Sequence, residues 1–332
     1  MAGSGMTAVP AGGILHIDKP VGITSFGVVS RVRRVMKLRR VGHCGTLDPF
    51  ACGVLPILLG RATGIARYME GYDKSYRVTV RFGFFTDTQD RTGIAFGGRI
   101  PSDAERDVMV ADGFRAIRTA VADLAGDRMQ MPPMYSAVKI DGRPLYQYAR
   151  KGMEVERKAR PIHVFRSELL SVGVVDGLPE ATVEIDCSKG TYIRTLCQDL
   201  GEATGWGAHA AELTRTACGP FTLDGALPLH ILEEWAEENP ETIWDTLRTR
   251  GILLPMETAI STFPIVRCGA DAALRFAQGR PLGIDEAEMP VGLRPELRMA
   301  VHGPDGFVGV GLCWQDEEGS LWIHAERVFA LT

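Results

Sequence analysis

Long apolar stretches are missing from this chain. Its longest uninterrupted apolar run, Val54 to Leu59, has six residues with Pro56 inside it, against the ~20 that a membrane-crossing helix needs. The seven cysteines, at 44, 52, 187, 197, 218, 268 and 313, are odd in number and form no C-x-x-C pair, which excludes a disulfide framework and leaves reduced, mostly core-packed thiols as the expectation. P-loop and dinucleotide fingerprints are absent too, so nothing points to a nucleotide cofactor. The opening MAGSGMTAVPAGG has neither a basic stretch nor an apolar core, so residues 1–13 read as a flexible leader and the cytoplasm as the location.

What is present is an ordinary globular composition, 45% apolar, 23% charged and 8% aromatic. This rules out a disordered chain, a collagen and a coiled coil. At 332 residues the chain exceeds a usual single core, so one large domain plus a smaller one is expected.

The net charge of −4 is unevenly spread. Residues 1–81 hold 12 Lys+Arg against 4 Asp+Glu, 82–222 hold 17 against 19, and 223–332 hold 8 against 18. A second basic patch, 128–160, has 8 against 3. The two patches predict one phosphate-facing groove.

In TSFGVVSRVRRVMK, Val28, Val32, Val35 and Met36 recur at helical spacing behind Thr24 or Ser25 as cap. The remaining positions present Arg31, Arg33, Arg34 and Lys37, with Arg39 and Arg40 following; the face is either simply solvated or anion-binding. Residues 76–84 alternate as a half-buried strand, and 181–187 repeat the pattern before an S-K-G turn and a helix capped by Thr191. Two helices are expected over 229–250, the second opened by Asn239 and Pro240. After Pro255 come a short helix near 270–278 and several short strands around Met299, Phe307 and Leu321 to Val328.

The densest punctuation is RRVGHCGTLDPFACGVLPILLGRAT, residues 39–63, which reads as a shaped loop. Its glycines leave room for a ligand or another backbone, and Asp48 before Pro49 is held out of helical geometry. An aspartate there most often closes a local turn; presented outward, it can act as a nucleophile. His43, Cys44 and Cys52 match no zinc spacing and lack a fourth ligand. Arg194, in the first turn of its helix, is disfavoured by the macrodipole. It either leans into solvent or pairs with a carboxylate, Asp48 being the best candidate.

With these residues in view, the chain resembles the bacterial TruB family of tRNA pseudouridine synthases. The blocks are HIDKPVGITS (16–25), GHCGTLDPFACGVLPILLGRAT, DKSYRVTVRFGFFTDTQDRTG (73–93), MPPMYSAVKIDGRPLYQYARKG (131–152) and CSKGTYIRTLCQDLG (187–201), in family order across residues 14–221. The resemblance implies an α/β (α+β) fold with a mainly antiparallel mixed sheet over 14–255, including a thumb-like insertion at about 128–160. A small PUA-like β-barrel over 256–332 is implied to bind RNA.

The implied activity is isomerisation of uridine to pseudouridine at position 55 in the tRNA T-loop, by a monomer needing no cofactor, metal or protein partner. Asp48 falls on the family's catalytic aspartate, Tyr76 on the tyrosine stacking on the target base, and Arg194 on the arginine paired with the aspartate. His43 falls on the residue that refills the RNA stack, and Tyr192 and Leu213 on the uracil pocket. Lys19, Arg33, Arg34 and Arg40 are expected RNA contacts. Gly64 stands where most members have a lysine, and Thr214 and Ala217 replace two basic residues, so phosphate contacts are expected to differ. A non-catalytic RNA-folding protein on the same scaffold is the rival reading.

Overall fold

The computed structural model describes residues 12–329. Of the expected leader, 1–11 lie outside the described residues, and Gly12 and Gly13 already open the first strand, Gly12–Lys19.

Eleven strands form the main sheet. Its principal order is Leu227–Pro228, Gly12–Lys19, Cys52–Gly60, Ala208–Cys218, Lys74–Phe82, Leu178–Cys187, Arg160–Val175, Gly126–Gln130. Along this path only the first pair and the Cys52–Gly60/Ala208–Cys218 pair are parallel. The expected mainly antiparallel mixed sheet is therefore present. Alternation drives it: in Lys74–Phe82, Tyr76, Val78, Val80 and Phe82 are buried while Arg77 is exposed.

Helices cover the sheet in two groups. The helix Ser25–Val35 starts at Thr24, whose hydroxyl accepts from the Gly27 N–H. It packs Val28, Val29 and Val32 with Leu229 and Leu232 of the helix Leu229–Glu238. The helix Ile193–Thr204 packs Leu196 and Leu200 over Val78, Val183 and Ile185.

Three local expectations need correction. The glycine-rich segment 39–63 is mostly not loop: Val41–His43 and Cys52–Gly60 are strands, and Val54 to Leu59 are buried. Pro56 is accommodated because it falls between the two partners flanking that edge, which meet Cys52–Gly53 and Ile57–Leu59. Thr191 is not the helix cap; Tyr192 is, and the Thr191 hydroxyl instead donates to Ser188 O at 2.9 Å. Asn239 ends one helix rather than starting the next, and Ile243–Thr249 begins behind Thr242.

The C-terminal part builds a nearly closed β-barrel. Six strands run in the order Leu282–Gly283, Leu321–Val328, Gly306–Gln315, Arg298–Gly303, Ile265–Cys268, Ala287–Glu288. Phe276 of the helix Ala270–Ala277 fills this small core. Ala300, Val310 and Phe329 also join one apolar cluster with Ile14, Val54 and Leu58, so the barrel and the main sheet share buried surface.

Candidate active site

Residues 44–51 connect the two strands of the glycine-rich segment and carry Asp48. Side chains from three directions fix their backbone. Ser25 Oγ accepts from Leu47 N–H (2.8 Å) and donates to Leu47 O (3.0 Å). Lys19 Nζ donates to Ala51 O at 2.6 Å and to Pro20 O at 2.8 Å. Arg215 donates to Gly45 O (3.1 Å), Thr46 O (3.4 Å) and Val54 O (2.7 Å). Each bond satisfies a carbonyl or amide that the irregular backbone would otherwise bury unpaired.

Two glycines owe their place to Arg215. A Cβ on Gly53 would meet Arg215 O at 2.3 Å, and one on Gly45 would lie 3.2 Å from its Nη1. Both residues also have positive φ, +104° and +71°. The room inferred from sequence is thus taken by a strand backbone and a guanidinium.

Asp48 does not close a local turn with its side chain. Its Oδ2 lies 2.8 Å from Arg194 Nε, and Arg194 is 4% exposed, so the solvent-facing alternative for the arginine fails. Arg194 also donates to Thr88 O and Tyr135 O, both at 2.8 Å, and Asp90 Oδ2 stands 3.8 Å from its Nη1. Asp90, which the sequence reading passed over, is itself held by Thr88 Oγ1 and the Thr92 N–H, both at 2.9 Å. Its signal was the run of hydroxyl and acidic residues in TDTQDRT.

The Asp48 side chain keeps 36% of its surface open toward a cavity of about 310 Å³. Tyr76, Tyr192, Arg194 and Leu213 line the cavity, with Lys189 and Ser136 at its wall. Burial pushes the Asp48 carboxyl above the usual carboxylate range; Arg194 pulls it back down, and Asp90 pushes it up. Tyr76 is 7% exposed, and burial raises its phenol to about 12 against the pull of Arg215. It therefore stays protonated at neutral pH. Burial also lowers His43, with Arg215 adding to the effect, which keeps its imidazole uncharged.

Part of the segment 128–160 reaches this cavity, with Ser136 and Ala137 lining it. Gln130 clamps the start of the Ile193–Thr204 helix, accepting from Tyr192 N–H at 2.8 Å and donating to Tyr192 O at 3.0 Å. Tyr135 O meets Arg194 directly. A larger hollow of about 500 Å³ near Trp206 is walled by Val108, Met109 and Ile117, away from these residues.

The expected RNA contacts divide. Lys19 is fully buried, with its amine lowered to about 8 mainly by desolvation, so it braces the Asp48 loop instead of facing a phosphate. Arg34 is exposed but lies 3.6 Å from Glu233, which also meets Arg31 at 3.3 Å. Part of the acidic excess of the C-terminal third is thus spent on this helix. Arg33 is half-buried and Arg40 exposed. Gly64 has a tertiary reason: a Cβ there would sit 3.2 Å from Arg327 Nε and Nη2, so the barrel places a guanidinium where a lysine side chain would start. Thr63 packs 3.8 Å from the Cβ position of Gly42, the neighbour of His43, so this seam adjoins the His43 face.

A mixed sheet with this aspartate–arginine pair at its cleft and a β-barrel appended is the architecture of a pseudouridine synthase. Residues 33–193 match the model of the TruB family pseudouridylate synthase N-terminal domain, and 194–261 that of the tRNA pseudouridylate synthase B C-terminal domain. The tRNA pseudouridine synthase B of Aromatoleum aromaticum is 41% identical over 309 residues, 93% of this chain and 90% of that protein. Its counterpart in Aeromonas salmonicida is 41% identical over 310 residues, covering 93% and 91%. A chain in the crystal structure of a Cbf5–Nop10–Gar1 complex superposes with a TM-score of 0.69 at 26% identity, covering 96% of this chain and 85% of that one. The chain belongs to the TruB family of pseudouridylate synthases and is an isomerase.

Proposed function

We propose that this chain converts uridine to pseudouridine at position 55 in the T-loop of tRNA, with Asp48 as the nucleophile. The observation that carries the reading is an aspartate held by a buried arginine and opening into a cavity lined by two tyrosines and a leucine. The tRNA substrate is supported by the names of the relatives.

The reaction breaks the bond from uracil N1 to C1′ and makes one from C5 to C1′. The hydrogen lost at C5 is matched by one gained at N1, so nothing is consumed. Cleavage needs an ionised carboxylate to deliver an electron pair to the ribose or the ring. Arg194 opposes the desolvation that would otherwise protonate Asp48. The base must first leave its stack, at about a few kcal/mol. In this reading His43 fills the gap, Tyr76 stacks on the everted base, and Tyr192 and Leu213 wall its pocket.

Residues 14–255 serve as the catalytic domain and 256–332 as an RNA-binding module, acting as a monomer in the cytoplasm without a protein partner. Among the described residues no helix is long and apolar enough to cross a membrane. The test is tritium release from uridine C5 in a T-stem-loop transcript, with the product position mapped. Release at that position is expected. Tritium retained at uridine C5 after prolonged incubation sinks the reading and leaves the non-catalytic RNA-folding rival.

Two binding predictions arise here. Arg33→Ala with Arg34→Ala is expected to weaken transcript binding at low salt and to flatten log Kd against log salt by about 0.7 to 0.9 per lost phosphate contact. Arg34 spends part of its charge on Glu233, so most of that change should come from Arg33. Arg327→Ala is expected to flatten the plot by a similar single step, and Gly64→Lys in the Arg327→Ala background to restore it. Filter binding across a salt series reads both.

A further inference from the structure

Arg215 is fully buried, and among the described residues no carboxylate lies within ion-pair distance of it. A guanidinium taken out of water without a counter-charge is costly to keep. What it touches gives the reason for keeping it. Its strand, Ala208–Cys218, runs between Cys52–Gly60 and Lys74–Phe82, and Arg215 is the direct cross-strand partner of both Gly53 and Tyr76. Three of a guanidinium's five N–H donors go to Val54 O, Thr46 O and Gly45 O. The cross-strand pairing sets its side chain beside that of Tyr76 on one face of the sheet.

We propose that Arg215 is a positioning residue of the reaction centre: one rigid guanidinium ties the Gly45–Thr46 backbone that presents Asp48 to the strand position directly opposite Tyr76. Nucleophile and stacking tyrosine come from separate segments, and no bond directly between them is needed once both are set against one residue, the Asp48 loop through its carbonyls and Tyr76 through the strand pairing. Arg194 sets the charge of Asp48, and Arg215 sets where Asp48 and Tyr76 stand relative to each other. This rests on the function proposed above.

The variants Arg215→Lys and Arg215→Ala test it, in single-turnover reactions with excess enzyme on a T-stem-loop transcript, rates being normalised to the folded fraction by circular dichroism. Lysine keeps the charge but, as a point-like ammonium, cannot bridge the three carbonyls. The expected result for Arg215→Lys is a rate about 100-fold below wild type, the scale of an ångström-sized misplacement, with transcript Kd unchanged. The isotope effect for deuterium at uridine C5 should rise, because Tyr76 no longer meets the base correctly. Millimolar guanidinium ion should recover part of the rate in Arg215→Ala.

A merely structural role would lower the folded fraction and leave the isotope effect alone. Wild-type rate in Arg215→Lys, or a loss fully explained by folded fraction or Kd, overturns the proposal. If Arg215→Ala does not fold, the isotope effect in Arg215→Lys decides alone. A wild-type protein that forms no product overturns the parent reading instead.

Discussion

Asp48→Asn is expected to lower the rate of pseudouridine formation by roughly four to six orders of magnitude, the loss seen when a catalytic nucleophile is removed, while transcript affinity is retained. The amide is isosteric and still presents an oxygen to Arg194 Nε, so the 2.8 Å contact and the loop built around it have no cause to move. What disappears is the electron pair of an ionised carboxylate, which an amide does not offer to carbon. Rapid quench with nucleotide mapping measures the rate, and filter binding the affinity. A parallel loss of affinity would mean that Asp48 serves to hold RNA, and a rate near wild type would remove it from the chemistry.

Arg194→Gln is expected to act through protonation. Burial already places the Asp48 carboxyl above its usual range, and the guanidinium is the largest influence holding it down. The rate should therefore rise with pH along an acid limb and level off once Asp48 is ionised. Removing the cation should displace that limb upward by about 1 to 3 pH units, the usual effect of an adjacent opposite charge. At neutral pH the variant should thus lose up to about two orders of magnitude and regain part of it in alkaline buffer. Asp48→Asn should regain nothing, which separates the two defects.

The same substitution also has a cost in stability. Thr88 O and Tyr135 O lose their donors, and buried Asp90 loses its cation, so about 3 to 5 kcal/mol of destabilisation is expected. Rates must be compared on folded protein. A limb that stays in place after correction for unfolding would show that Arg194 orients Asp48 without tuning it.

Sequence alone determined the local pieces of this protein. Period-2 alternation marked the strands through Tyr76 and Ile185, and the valine spacing behind Thr24 marked the first helix, because burial on one face selects apolar residues at the period of the backbone. The motif around Asp48 and the resemblance it carries were legible for a related reason: an irregular, close-packed backbone admits few residues at each step. The pairing of Asp48 with Arg194, 146 positions apart in the chain, was legible as a candidate from charge alone.

Only the tertiary structure decided how the charges were spent. Lys19 looked like a phosphate contact and is a buried brace; Arg34 meets Glu233, and Arg327 lies against Gly64 from the far end of the chain. Asp90 was marked only by its run of hydroxyl and acidic neighbours, and Arg215 by no distinguishing local pattern. Their importance comes from meeting Arg194 and the Asp48 loop across strands that pair at long sequence separation. A side chain's charge is written in the sequence, but its counter-charge, its burial and the carbonyls it satisfies depend on which distant segments the sheet brings beside it.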